Sequence, residues 1–189
     1  CWPAWGALER AKVTGNFALC EKLLGDFVKN YEAWEKGWTS RRGFYTGYVS
    51  GQGLFHQTGD REGTEHALSP DGARPMVNSA MWAEATAISR IAARKGDVAL
   101  AKRFAAKADA LERRIKESLW HEGKRFFTAA DTNGVHSSVC ELHGYAPFYF
   151  AMPLGREYAA AWEPLMSDKG FFAPVGLTFP TRDTPGFTV

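Results

Sequence analysis

Asp60, Glu62 and Glu65 lie within six residues of one another, beside Arg61 and His66, with Arg74 farther along. They belong to the stretch Gln57–Trp82, which reads QTGDREGTEHALSPDGARPMVNSAMW. A turn that only joins two helices has no need of such a density of carboxylates. Cleaving a glycosidic bond does need one. One carboxyl must stay protonated near neutral pH to protonate the leaving oxygen, while a second carboxylate activates water or attacks the anomeric carbon. Neighbouring negative charges raise the pKa of one member of such a cluster, and Glu65 is the first candidate for the acid. The competing reading is a set of solvated loop charges paired with Arg61 and Arg74.

Other chemistries have weaker support. His56, His66, His136 and His143 flank the loops, but no HxH, HExxH or His-x-x-Glu pair falls on one helix face to make a metal site. There is no GxSxG elbow and no Walker or dinucleotide glycine motif, since Gly51 and Gly53 lack a strand before and a helix after them. Cys1, Cys20 and Cys140 are too widely spaced for a zinc site or a disulfide framework and read as buried free thiols. Nothing in the residues requires a metal or cofactor. Lys and Arg number 23 against 21 Asp and Glu, and a net charge of +2 is too small to point to nucleic acid or an anionic membrane. No apolar run approaches the roughly 18 residues of a membrane span.

Aromatic residues make up 14% of the chain, including seven Trp. They can fill a core or line a groove, because sugars lay their apolar CH faces on aromatic rings. Among Trp38, Phe44, Tyr45, Tyr48, Phe55, Trp82, Tyr145, Phe148 and Tyr149, Phe148 reads as core. Phe44, Tyr45 and Tyr48 sit in glycine-rich loop and are the candidates for a sugar platform.

The elements that must position these residues are mostly helices. Residues 2–14 hold a helix end or start, and Gly15-Asn16 is a break and a cap. Phe17, Cys20, Leu24, Phe27, Tyr31 and Trp34 recur in steps of three and four, one face of a helix of about five turns that ends near Gly37. The glycines of residues 38–59 exclude helix and predict short extended pieces or a hairpin. Ser69-Pro70-Asp71-Gly72 is a turn, and Pro75 suits a helical first turn. Val77, Met81, Ala85, Ile88 and Ile91/Ala92 mark one face of a helix over about 76–95, stopped by Gly96. Asp97 caps the next, over 98–119, with Val98, Ala101, Phe104, Ala108, Leu111, Ile115 and Leu119 inward. The tight junction makes these two an antiparallel hairpin. A small β-like excursion follows at Lys124–Thr128, then a helix over about Ser137–Phe150, a shorter one over about 156–166, and an aperiodic tail. The fold class is mainly α: antiparallel helical hairpins with minor β-hairpin content and long loops at 38–74 and 120–136. Alternate connections of a ring of hairpins share one face, so those loops are expected to gather there.

GLFHQTGDREGTEHALS followed by RPMVNSAMWAEATAISRIAARKGD resembles a segment of the six-hairpin (α/α)-toroid glycoside hydrolases of the mannosylglycerate-hydrolase-like group, nearest to its β-L-arabinofuranosidase family. ELHGYAPFYFAMP and FFAPVGLTFPTRDTPGF resemble two later stretches of that group, with Phe148 where Trp is usual. The similarity runs over about residues 53–187 and implies that residues 1–189 form part of a toroid. It implies Glu65 as the catalytic general acid, with Gln57, Arg61, Glu62, Arg74 and Asn78 holding the sugar or orienting the acid. It also implies a secreted or periplasmic location. Two departures stand out. Ala67 replaces the small hydroxyl residue common after the acid. The family's general base lies downstream of the P-x-F run, beyond Val189, which leaves the expected inverting mechanism with its base outside these residues.

Two other activities compete. A carbohydrate-binding or scaffold domain of the same architecture would bind saccharide without turnover. A toroid phosphorylase would need a basic pocket, which Arg61 and Arg74 could supply only against the loop's own carboxylates. Part of a ring also exposes the flanks of its helices, so the expected partners are a saccharide and either the rest of the toroid or a second copy. A monodisperse monomer in light scattering would count against association of the isolated chain.

Overall fold

In the computed structural model, which describes residues 2–39, 45–49, 53–57, 67–185 and 187, the chain opens with α1, Pro3–Thr14. Pro3 suits the first turn, where its missing N–H costs nothing. Gly15, at φ +71°, ends the helix and donates to the Ala11 carbonyl. The sequence marked 2–14 only as a helix end or start; it is a complete helix burying Ala4, Leu8 and Ala11. α2 (Ala18–Lys36) follows after Asn16, whose Oδ1 accepts from the Ala18 N–H at 3.1 Å. Its buried stripe is Cys20, Leu24, Phe27 and Tyr31, the predicted face, with Phe17 and Trp34 half-buried at its two ends.

The described residues of the glycine-rich stretch are mostly extended, as expected. β1 (Trp38–Thr39), β2 (Tyr45–Val49), β3 (Leu54–Gln57) and β4 (Gly72–Ala73) form one antiparallel sheet in that order. β2 and β3 pair with Gly47 opposite His56, and β3 and β4 with Gln57 opposite Gly72.

α3 (Pro75–Arg94) and α4 (Val98–Leu119) are the predicted hairpin, turned at Gly96 with φ +82°. Asp97 caps α4 by accepting from the Leu100 N–H at 3.0 Å. α4 is amphipathic as read, except that Val98 stands 60% exposed at its first turn. α3 departs from the one-face expectation. α1, α2, α4 and a short later helix, α5 (Ala146–Tyr149), all pack on it. Its faces are buried at Ala80, Ala83, Ala85, Ala87 and Ala92 as well as at Met81, Ile88 and Ile91. Alanine makes this possible, since a methyl lets four neighbours close on one helix.

After α4, β5 (Trp120–His121) and β6 (Phe126–Phe127) make a tight hairpin. The predicted helix over 137–150 is mostly absent. Residues 137–140 are irregular with a bend at Ser138, Glu141 is extended, Leu142–Tyr145 is a 3-10 turn, and only Ala146–Tyr149 is α-helical. Tertiary pairing overrides local pattern here: Glu141 bridges Pro180, and the Leu142 N–H donates to the Phe179 carbonyl at 2.8 Å. The predicted helix at 156–166 is a 3-10 helix, Arg156–Met166, with Pro164 inside it. The tail forms a small hairpin, β7 (Phe172–Ala173) and β8 (Gly176–Leu177), before that Pro180 contact. Tyr145, Phe126, Phe171 and Trp162 join the two ends of this region, with Tyr145 stacked on Trp162 at 4.9 Å. Among the described residues no helix is long and apolar enough to cross a membrane.

Candidate functional site

The two long connections meet, as the hairpin argument required. Ala73 and Ala130 exchange both backbone hydrogen bonds, at 2.8 and 2.9 Å. Gly72 makes that approach possible. A Cβ there would stand 2.1 Å from the Ala130 carbonyl oxygen, and its φ of +152° favours glycine. Three residues before Gly72, Ser69 Oγ accepts from Ser137 Oγ at 3.1 Å, a second stitch between the same connections.

The carboxylate-rich stretch therefore leaves the scaffold at Gln57 and returns to it opposite the same residue, at Gly72. Its returning limb, Leu68–Pro70, is held by a buried ion pair. Glu141 Oε1 accepts from the Leu68 N–H at 2.7 Å and the Ser69 N–H at 3.0 Å, while its Oε2 accepts from Arg74 Nη2 at 3.0 Å. Arg74 Nη1 donates to the Ser69 and Pro70 carbonyls at 3.1 and 2.9 Å. Arg74 is wholly buried and Glu141 is 5% exposed. A buried pair persists only when its remaining donors and acceptors are satisfied, and here the backbone of 68–70 satisfies them. Because the charges bond to main chain, they fix the path of the loop rather than one side chain.

Asn78 does the same for the outgoing limb. Its Oδ1 accepts from the Phe55 N–H at 2.8 Å, and its Nδ2 donates to the Phe55 and Arg74 carbonyls, each at 2.9 Å. Asn78 thus ties β3 to the start of α3. It too is wholly buried. Arg74 and Asn78, both expected to hold a sugar or orient the acid, are wholly buried and bond to the main chain of the loop's two limbs. The phosphorylase reading loses Arg74 as a phosphate donor, because Glu141 already neutralises it.

Gln57 ends β3, 9% exposed, beside His56, whose imidazole burial holds below its ordinary pKa. For Tyr45 only the backbone is described; it opens β2 opposite Thr39. Glu65, Arg61, Glu62 and Phe44 lie outside the described residues, as do Asp60 and His66. Of the other aromatic candidates, Phe55 and Trp82 are core, and Tyr145 donates its hydroxyl to the Ala161 carbonyl. Phe148 is half-buried against Trp162 and Phe127, as read. Cys20 and Cys140 are buried free thiols, and burial raises the pKa of both. Among the described residues no group of three or more His, Cys, Asp or Glu could hold a metal.

Glu141 was missing from the residue-by-residue reading. Its partners lie 67 to 73 positions away, so no local spacing exposes it. The one available signal was its place at the head of the ELHGYAPFYFAMP resemblance.

The family model for the mannosylglycerate hydrolase MGH1-like glycoside hydrolase domain matches residues 1–189, the whole chain. Among solved structures, a chain named "Sialidase" matches with a TM-score of 0.87 at 31% sequence identity, over 99% of this chain. The match spans 17% of that longer chain. No curated protein matches.

Proposed function

Because this chain belongs to the mannosylglycerate hydrolase MGH1-like glycoside hydrolase domain family, we propose that it forms part of the catalytic domain of an O-glycoside hydrolase acting on a plant or microbial saccharide. The observation that carries the reading is the family match over all of residues 1–189. The cluster Asp60, Glu62 and Glu65, on a loop whose return is pinned by a buried ion pair, supports the choice of residues. Glu65 is the general acid. It gives its proton to the leaving oxygen as the bond from that oxygen to the anomeric carbon breaks. A carboxylate from outside residues 1–189 takes a proton from the water that attacks the opposite face, and the configuration inverts. Arg61 and Glu62 are proposed at the sugar with Gln57, Phe44 and Tyr45. The remaining hairpins of the toroid, or a second copy, cover the helix flanks.

The resemblance favours a β-L-arabinofuranoside, and the relative named a sialidase adds a sialoside to the substrates worth trying. The test is turnover of an aryl glycoside panel containing both, by the full-length protein and its Glu65→Gln variant. A loss of about a hundredfold or more is expected, the range that general acid catalysis supplies. Undiminished turnover by Glu65→Gln on every substrate the protein cleaves would overturn the assignment and move it to Glu62 or Asp60.

A further inference from the structure

We infer that Glu141 is a positioning residue for this reaction, a buried carboxylate that sets the path of the loop returning from Glu65; the inference rests on the glycosidase reading above. Three observations carry it.

The first is how firmly Glu141 is itself held. Its backbone bridges Pro180, its carbonyl accepts from the Gly144 N–H at 2.8 Å, and the next residue's N–H bonds to Phe179. Gly144 lets this turn press against β6, since a Cβ there would stand 2.1 Å from the Phe126 ring. The carboxylate projects from a rigid base.

The second is what it touches. Both oxygens are occupied by groups of the loop and its root: Leu68 N–H, Ser69 N–H and Arg74. A carboxylate whose partners are these, and which is 5% exposed, does not meet a substrate. It acts through the chain it holds. The third is proximity along that chain. Leu68 is three residues after Glu65, and covalent geometry limits three residues to a reach of about 11 Å. Displacement at the anchor therefore reaches the acid through very little chain, and a misplacement of about 1 Å can cost about a hundredfold in rate.

The experiment compares the full-length protein with its Glu141→Gln and Glu65→Gln variants on aryl glycosides of one sugar whose leaving groups run from acidic to weakly acidic phenols. An acidic phenol departs without help, whereas a weakly acidic one needs a well-placed proton. Glu141→Gln is expected to lower kcat by about ten- to a hundredfold on the weakly acidic leaving groups. It should lower kcat much less on the acidic ones, with KM changed less than about twofold. Amide hydrogen exchange at Leu68 and Ser69 is expected to accelerate in the same variant. Where Glu141→Gln does not fold, the charge-balanced Glu141→Gln/Arg74→Gln variant takes its place.

A merely structural role would lower activity equally for every leaving group, through the fraction of folded protein. That result overturns the positioning role, as does wild-type kinetics, provided Glu65→Gln still shows the leaving-group dependence. If Glu65→Gln shows none, the glycosidase reading fails at its acid and the role of Glu141 falls with it.

Discussion

Glu84 reaches from α3 to the start of α1, and Glu141 reaches from the turn before α5 to the root of the carboxylate loop. Each is buried, at 1% and 5% exposure, and each accepts from two consecutive backbone N–H groups: Ala4 and Trp5 for Glu84, Leu68 and Ser69 for Glu141. The difference is the counter-charge. Arg74 neutralises Glu141, whereas among the described residues no cation pairs with Glu84. Burial consequently pushes the Glu84 carboxyl up to about 7, against the two N–H bonds that favour its charged form. The same backbone-capping device is thus built once with a resident cation, where a loop must keep its path. For Glu84, among the described residues, it is built on the two N–H groups alone, where a helix only needs docking.

Breaking the pair gives the largest expected effect. Arg74→Met leaves Glu141 charged and buried, at a cost of about 3–5 kcal/mol, whereas replacing both partners by apolar residues recovers only part of that loss, because the Leu68 and Ser69 N–H groups then lose their acceptor. Urea unfolding of Arg74→Met against Arg74→Met/Glu141→Met measures it. Equal stabilities for the two variants would mean that Arg74 does not compensate Glu141.

Glu84 sharpens the contrast through pH. Its folded pKa lies above the ordinary 4.5, so the folded protein binds the proton more tightly. Its contribution is full below about pH 4.5 and is lost as pH rises through about 7, about 3 kcal/mol in all. Glu84→Gln should remove that slope and raise the melting temperature at pH 8 relative to the unaltered protein. Melting curves from pH 5 to 8 that fall as steeply in the variant would refute the assignment.

Asp97 sets the lower end of the comparison, since it caps α4 from the adjacent residue and close to solvent. Asp97→Ala should cost about 1 kcal/mol, measured by thermal melts. A loss as large as that of Arg74→Met would show that distance and burial are not what separates the two kinds of cap.

Much of this fold was legible because it is local. The stripe from Cys20 to Tyr31, the Gly96-Asp97 junction and the apolar face of α4 each follow from side chains three or four residues apart. The fate of residues 137–150 was not, because Glu141 pairs with Pro180 and Gly144 packs on Phe126, contacts no window of sequence contains. At the candidate site the residue types were readable and their duties only in part. Arg74 and Asn78 carry the groups a sugar would need, yet both are spent on the backbone at Phe55 and at 69–74. Glu84, on a helix read for its apolar face, gave no sign that it caps another helix.

The alanines of α3 have a consequence beyond packing. A helix ringed by four neighbours through methyl groups acts as a spacer gauge: the width of its side chains sets how far apart the surrounding helices stand. Arg74 sits immediately before its first turn and Asn78 within that turn. One extra methylene on Ala85 or Ala92, both wholly buried, would therefore press on the packed neighbours of α3 and carry both supports with it, so that the dimension of a distant helix contact is written into the alignment of the loop.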